Sequence, residues 1–281
     1  MTQQKIRMLA INDIEDCALS VIEGQEVAGL PISNVQLDNN SRSFRSMSVN
    51  KTIVKGVFNQ FKVITSFILW RHNLSNAGTV RLEFYTDDAC LNKVHDTGRI
   101  PVAPPKTLGD WQWQIEPVAS SVFDDWEYRL TQIWLQYSGF VKAFKLIIED
   151  PQNTDGYKDI VRIYAGRTLS PTINFSNQHD FGFDTQSEQH RTDGGTLHSP
   201  AAPVYRKVNF SFAHINEVDR AHISNAIRHV NKSRDWFVSL FPELSTQKEF
   251  EYAFACKFTQ IPTIKSITYN LYHSEFAVEE C

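Results

Sequence analysis

Short apolar runs separated by turn residues fill the chain from about residue 33 to 166, and this pattern limits the fold most strongly. The run GTVRLEFYT, Gly78 to Thr86, alternates apolar and polar residues, so one face of a strand would be buried and the other wet. Helical periodicity is weak here, and many short strands with regular turns are typical of antiparallel sandwiches. The sequence therefore predicts a mainly β fold, with an antiparallel jelly-roll-like β-sandwich over residues 33–175.

The other segments of this region predict how the strands follow one another. The run FKVITSFILW, Phe61 to Trp70, has apolar residues at both odd and even positions, which predicts one central strand covered on both faces. Further strands are predicted at 130–137, 143–149 and 159–165, with a tight connection at 72–78 and a polar, hairpin-like turn at 151–156. We expect these strands to form a meander.

The composition changes outside the predicted sandwich. Residues 176–203 are dense in Gly, Ser, Asp, Gln and Pro, which predicts a linker, or a docking arm that becomes ordered against a neighbour. Residues 1–32 form an N-terminal segment ahead of the sandwich.

Residues 204–281 predict a smaller α+β domain. RKVNFSF, Arg206 to Phe212, alternates as a strand, and the spacing then becomes helical. Asn216 is the expected N-cap, with Asp219 in the first turn and an apolar stripe that includes Ile223 and Val230. Three more strands are predicted at 236–240, 251–258 and 264–271, so the helix can cover one face of a small sheet.

Charge and cysteine usage exclude several classes of function. A net charge of -4 argues against the positive field that binding to phosphate backbones requires, so direct nucleic-acid binding is not expected. The four cysteines show no CxxC spacing, which favours reduced thiols over a zinc or redox site. The sequence shows no apolar stretch long enough to cross a bilayer and no secretory leader, so we expect no membrane insertion and assembly in a cytoplasm.

Two sets of polar side chains are candidates for catalytic or metal sites. His222 and His229 share the predicted helix, but their spacing of seven residues is about 10 Å along the axis, which suits exposed histidines better than zinc ligands. The pairs Asp87-Asp88 and Asp124-Asp125 allow a glycosidase dyad or a calcium site, yet adjacent aspartates are ordinary in turns. With no nucleophile or phosphate-loop motif present, we expect no enzyme activity, catalytic residue, cofactor or resident metal.

Clustered tryptophans provide the one candidate binding surface. Trp111, Trp113 and Trp126 lie in one stretch, and Trp111 and Trp113 share a face if the chain there is extended. Such residues form core, an interface between subunits, or an aromatic platform for glycan. We take Trp111, Trp113 and Trp126 as candidates for an interface or a glycan platform.

Four segments resemble phage tail and baseplate structural proteins that carry a galactose-binding-like (discoidin-like) sandwich. They are LPISNV at 30–35 with SFRS at 43–46, WRHNLS at 70–75 with GTVR at 78–81, HDTGRIPV at 95–102, and FSF at 210–212 with SRDWF at 233–237. The resemblance touches both predicted domains.

The resemblance implies a non-enzymatic virion structural protein of a tailed bacteriophage. Its partners would be copies of itself in a symmetric ring and other tail or baseplate proteins, and it would reside in the virion after assembly in the host cytoplasm. A carbohydrate-binding module that recognises host-surface glycan is the alternative function, and the Trp surface would then hold the ligand.

Overall fold

A computed structural model describes residues 4–103, 113–115, 121, 126, 128–242 and 247–281. The chain forms two compact units, described separately below. Unit 1 contains residues 1–169 and 237–254, and unit 2 contains residues 170–236 and 255–281. The domain boundaries predicted at residues 33, 176 and 204 stay predictions.

Unit 1 is built from short strands with little helix. Its strands are β1 (Arg7–Leu9), β2 (Cys17–Glu23), β3 (Phe44–Ser46), β4 (Thr52–Val63), β5 (Ser66–His72), β6 (Thr79–Tyr85), β7 (Lys93–Asp96), β8 (Ile100–Pro101), β9 (Arg129–Trp134), β10 (Phe140–Glu149) and β11 (Lys158–Gly166). A 3-10 helix covers Ile32–Gln36. The predicted N-terminal segment 1–32 thus contributes β1 and β2.

Two antiparallel sheets make up the sandwich in unit 1. One has the order β2-β4-β10-β6-β7, with β8 also paired to β6, and the other has the order β3-β11-β5-β9. Phe67 of β5 meets Phe144 of β10 edge-to-face at 5.4 Å between ring centroids, which joins the two sheets through an aromatic core. The predicted mainly β sandwich is confirmed.

The order of the strands differs from the predicted meander. Strand β4 pairs with β10, and β5 pairs with β11, so the partners are far apart in sequence. The turn at 151–156 joins β10 to β11, which belong to different sheets, and the predicted hairpin there is wrong. Turn chemistry marks where the chain reverses, but burial of apolar faces decides which sheet the next strand joins.

The single strand predicted from Phe61 to Trp70 is also wrong. The chain ends β4 at Val63 and begins β5 at Ser66, in the other sheet. Residues 66–70 are all buried, whereas 59–61 are exposed. Apolar residues occur at both odd and even positions because the run spans two strands with different environments.

Gly56 of β4 is required by the core of the sandwich. It lies directly opposite Phe144 of β10, and a Cβ atom at Gly56 would stand 2.2 Å from Cε1 of that ring. The missing side chain lets the Phe144 ring lie across β4, where it also contacts Phe58 at 5.6 Å between centroids. A glycine inside a strand often marks such a close approach.

His72 is a buried neutral histidine at the end of β5. Its Nε2 contacts Oγ1 of Thr131 at 2.9 Å, and that hydroxyl donates to the carbonyl of Val102, so Nε2 carries the proton. The backbone N–H of Leu74 donates to Nδ1 at 3.3 Å. Burial, followed by the positive charge of Arg129, lowers the pKa of His72 to about 3.

In unit 2, one antiparallel sheet packs with a helix. The elements are β12 (His179–Thr185), β13 (His190–Arg191), β14 (Leu197–His198), β15 (Val204–Asn216), α1 (Glu217–Val230), β18 (Ile264–Thr268) and β19 (Leu271–Glu280). Strand β16 (Trp236–Ser239), which pairs with β1, lies in unit 1 except for Trp236, helix α2 (Gln247–Glu251) lies in unit 1, and β17 (Ala253–Gln260) has residues in both units. In unit 2 the strand order is β17-β19-β15-β12, with β18 also paired to β19.

Helix α1 begins and packs as predicted. The side chain of Asn216 accepts a hydrogen bond of 2.8 Å from the backbone N–H of Asp219, which satisfies one open donor of the first turn. Ile223 and Val230 are buried. Strand β12 lies within the 176–203 segment that composition indicates as a linker or docking arm.

Strand β19, central in unit 2, was missed from the sequence. The alternate positions of β19 that are buried hold the polar residues Ser274 and Glu280 as well as Phe276 and Val278. The polar residues interrupt the alternation of apolar and polar positions by which a strand is recognised. Arg206 neutralises Glu280 in the interior, with its Nε and Nη2 donating to the carboxylate at 2.9 and 3.0 Å. A buried charge is tolerated when it is paired and hydrogen-bonded in this way.

We expect Gly56→Ala to destabilise unit 1 by about 1–3 kcal/mol, the usual cost of overpacking a core. The new Cβ would clash with Phe144, which must leave its position against Phe58 and Phe67. Urea unfolding followed by tryptophan fluorescence measures the change. Gly194→Ala is the matched control, since nothing lies within 4 Å of a Cβ there. Equal unfolding midpoints for the two variants would contradict this packing.

The burial of His72 predicts acid sensitivity. Its pKa falls from an ordinary 6.5 to about 3, so below pH 6.5 the unfolded chain binds a proton that the folded protein excludes. Stability should therefore be insensitive to this group above pH 6.5 and fall as the pH drops towards 3, by at most about 1.4 kcal/mol per pH unit.

The measurement is the unfolding free energy between pH 4 and 7 for the natural chain and His72→Gln. The variant should lose part of the pH dependence, whereas His222→Gln, an exposed position on α1, should keep all of it. Identical slopes for all three proteins would rule out a neutral buried His72.

Candidate functional site

The predicted Trp surface is only partly within the described residues. Trp111 lies outside them. Trp113 is 72% exposed and Ile115 is 77% exposed. Trp126 packs edge-to-face on Phe250, with 4.9 Å between centroids, and is half-buried. Trp113 thus has the exposure that either a glycan platform or an interface needs, while Trp126 is partly engaged with the body of unit 1.

The other candidate side chains from the sequence have ordinary surroundings where the structure describes them. Asp87 accepts hydrogen bonds from the backbone N–H groups of Leu91 and Asn92, which lower its pKa and close a turn. Asp124 and Asp125 lie outside the described residues. His222 is exposed, and among the described residues no group of three or more His, Cys, Asp or Glu is placed to hold a metal ion.

The buried cysteines offer no activated thiol. Cys17, Cys90 and Cys256 are buried, Cys281 is half-buried, and all four are free. Burial raises the pKa of Cys17 to about 12 and that of Cys256 well above its ordinary value. Thiols of this kind are inert at neutral pH because the thiolate is the reactive form.

A groove of about 810 Å³ lies on the sheet of unit 2, and its lining includes the buried residues Phe210 and Phe276 as well as exposed polar residues. Its floor follows from the register of three strands. Asn209 of β15 stands opposite Asp180 of β12 and Ala277 of β19, and Ser211 of β15 stands opposite Glu275. Because opposed side chains share a face, the small residues Ser211 and Ala277 leave a depression between larger polar neighbours.

Most of the groove wall is polar, and one side of it is apolar. Asp180, Asn209 and Glu275 rise from the strands, and Gln178 precedes β12. The groove is closed by Gln260 at the end of β17 and by Ile261, Pro262 and Thr263 in the connection to β18. Ile261 is 48% exposed, so an apolar surface faces the polar strands across the groove.

Aromatic rings pack against one another in the strands that form the groove. Phe210 and Phe276 oppose each other across β15 and β19 and stack at 5.1 Å with 12° between their planes. Phe175 meets Phe210 edge-to-face at 6.2 Å. This packing supports the strands that carry Asn209 and Glu275.

The groove carries negative charge without a lysine or arginine in its lining. Asp180 and Glu275 are its carboxylates, and none of the described residues that line it is Lys or Arg. His273 Nε2 lies 3.1 Å from Oε1 of Glu275, and this contact, followed by the charge of Lys265, lowers the pKa of Glu275. Glu275 is therefore a carboxylate, an acceptor of hydrogen bonds, at neutral pH.

Several groove side chains have hydrogen-bonding capacity that the protein does not use. Among the described residues, the structure shows no side-chain hydrogen bond for Gln178, Asp180 or Gln260. Amides supply both donors and acceptors, and carboxylates supply acceptors. A bound molecule with several hydroxyl groups would find complementary partners here.

Sequence reasoning did not find the groove. Its residues come from four separate stretches, 177–180, 209–211, 260–263 and 275–277, and two of the strands that carry them, β12 and β19, were not recognised. The alternation of β15 does place Asn209 and Ser211 on the polar face, which is the only part of the site that the sequence signals.

Comparisons with known proteins give similar structures but no similar sequence. No family model matches the chain, and no curated protein matches it. A family 32 carbohydrate-binding module of NanJ from Clostridium perfringens, in complex with galactose, covers 57% of this chain and 98% of its own, with a TM-score of 0.38 and 8% identity.

Two further solved structures are similar to a comparable degree. A Streptococcus pneumoniae fucose-binding module covers 56% of this chain and 98% of its own, with a TM-score of 0.37 and 9% identity. A fucosidase from Ruminococcus gnavus, in complex with fucose, covers 57% of this chain and 27% of its own, with a TM-score of 0.40 and 8% identity. Similarity at this level carries no argument about what this chain binds.

No helix in the described parts of the chain has the length and apolarity needed to span a bilayer.

Proposed function

We propose that this protein is a non-catalytic carbohydrate-binding protein and that the groove of unit 2 holds a neutral glycan. The observation that carries the proposal is the convergence of Asp180, Asn209, Gln260 and Glu275 on a depression with small residues in its floor. Ligand sites are usually concave, with a few placed polar groups that fix orientation. The hydroxyls of a sugar would bond the strand side chains, and its C–H face would pack on Ile261.

The charge of the groove favours a neutral ligand. Two carboxylates and no Lys or Arg among the described lining residues would repel a phosphate or an acidic sugar. A neutral polyol donates to Asp180 and Glu275 and exchanges hydrogen bonds with the amides of Asn209 and Gln260. Binding of such a ligand should depend little on salt, because no net charge is neutralised.

The two carboxylates of the groove favour binding of a glycan without its hydrolysis. Hydrolysis of a glycosidic bond uses one carboxylic acid with a raised pKa as the proton donor. The pKa of Glu275 is lowered by His273 and Lys265, the opposite of what a general acid needs. We therefore assign Glu275 and Asp180 to ligand binding.

The role in a phage tail or baseplate rests on the sequence resemblance of four short segments alone and stays a prediction. A ring of copies and neighbouring tail proteins would be its partners. Mass spectrometry of purified particles, followed by imaging of the density that contains the chain, would test it. A glycan-binding site on such a subunit is compatible with that role.

The groove predicts that Asp180→Ala combined with Glu275→Ala abolishes glycan binding. Each carboxylate removed costs about 1.5–3 kcal/mol, the range for hydrogen bonds to charged groups, or roughly tenfold or more in affinity per residue. A glycan array identifies the ligand of the natural chain, and titration calorimetry then measures its affinity for each variant.

Matched controls separate the site from a general loss of charge or fold. Glu188→Ala with Asp193→Ala removes the same charge from exposed positions of unit 2 outside the groove and should leave affinity unchanged. Trp113→Ala tests the predicted platform. If Trp113→Ala abolishes binding and the groove variant retains it, the groove is not the site. If the natural chain binds no glycan, the function itself is wrong.

A further inference from the structure

Strand β12 (His179–Thr185) lies at the edge of the sheet of unit 2. It pairs with β15 on one side, and within the described residues no strand pairs with its other side. Its seven residues, HDFGFDT, include no proline or lysine, the residues with which proteins commonly block such edges. An open edge presents backbone N–H and C=O groups that can pair with another strand.

The sequence of this edge reads the same in both directions about Gly182. The residues are Asp180, Phe181, Gly182, Phe183 and Asp184. We propose that two copies of this chain associate through β12, as antiparallel strands across a two-fold axis, with Gly182 of one copy opposite Gly182 of the other. A two-fold interface brings the same surface of both subunits together, and an antiparallel strand pair satisfies this condition.

The aromatic residues of β12 favour this register. Phe181 of one copy would lie opposite Phe183 of the other, twice in the interface, on the face that carries the core. Phe183 is 57% exposed in the single chain and Phe181 is half-buried, with 5.1 Å and an edge-to-face arrangement between their rings. Cross-strand aromatic pairs are among the stabilising contacts of antiparallel sheets.

Gly182 allows the two backbones to approach at the centre of the interface. Nothing lies within 4 Å of a Cβ atom placed there, so the single chain does not need glycine for its own packing. A glycine in a strand whose own sheet leaves room for a side chain is consistent with the approach of another backbone.

The opposite face carries charges that weaken the pair at low salt. Asp180 of one copy would face Asp184 of the other, and like charges in direct opposition are unfavourable. Lys207 of β15 binds Asp184 and compensates for part of this repulsion. Association should therefore strengthen as salt screens the remaining negative charge.

The symmetry also places the two proposed binding grooves on one side of the assembly. A two-fold axis perpendicular to the sheet leaves each face on its own side, so the grooves of both copies open in the same direction. This consequence, which rests on the proposed function, predicts bivalent binding to a glycan-coated surface.

Sedimentation equilibrium of the full chain over a wide range of concentrations, at low and high salt, tests the association. We expect a monomer–dimer equilibrium whose dissociation constant rises at least tenfold in Phe183→Glu. Ile267→Glu is the matched control, because Ile267 is 54% exposed on β18 and lies outside the interface. A monomer at every concentration, or a dimer that Phe183→Glu leaves unchanged, would overturn the proposal.

Cross-linking tests the register. Gly182→Cys places two thiols opposite each other at the two-fold axis, and mild oxidation should give a covalent dimer on a non-reducing gel. Asp193→Cys, exposed on the turn between β13 and β14, should give much less. Equal cross-linking of the two variants would exclude this register. The sedimentation and cross-linking experiments are both made without glycan. They therefore test the dimer even if the proposed glycan binding proves wrong.

Discussion

The antiparallel pairing of β15 with β19 supports both the core and the groove of unit 2. On one face of this pair, Phe210 stacks on Phe276 and the core forms. On the other face, the same register places Asn209 beside Ala277 and Ser211 beside Glu275, which creates the groove. The pair also buries the Arg206–Glu280 ion pair, whose desolvation is compensated only while both strands are in place. The residues that pack the core and the residues proposed to bind ligand therefore alternate along the same pair of strands.

Unit 1 depends on a comparable constraint, the close approach of two sheets around Phe144. The absence of a side chain at Gly56 lets this ring cover β4 and meet Phe67 of the other sheet. Polar groups inside the sandwich are satisfied locally, as His72 is by Thr131 and Leu74, so the core can tolerate a neutral imidazole but not a charged one. Such a frame is rigid, and rigid frames can present exposed residues such as Trp113 on their connections.

The surface chemistry of unit 2 is divided between a binding face and an edge. Among the described residues, the structure shows no side-chain hydrogen bond for Gln178, Asp180 or Gln260 of the groove, and no strand pairs with the outer side of the edge strand β12. Asp180 belongs to both, since it lines the groove and stands on β12. Glycan binding and self-association would thus be neighbours on the same small sheet, which is a physical basis for avidity.

The sequence by itself determined the mainly β class, the strand with Val80, Leu82 and Phe84 buried, and the helix capped by Asn216. These features follow from local alternation and capping, which involve residues close together in the chain. It also indicated Trp113 as a surface candidate, but it did not indicate the groove or β19. Only the tertiary structure decided which strands pair and where the chain changes sheet, between Val63 and Ser66. It alone also brought together Asp180, Asn209 and Glu275. The reason is physical: these features depend on contacts between residues far apart in sequence, and burial of Glu280 against Arg206 conceals the pattern that would have revealed the central strand.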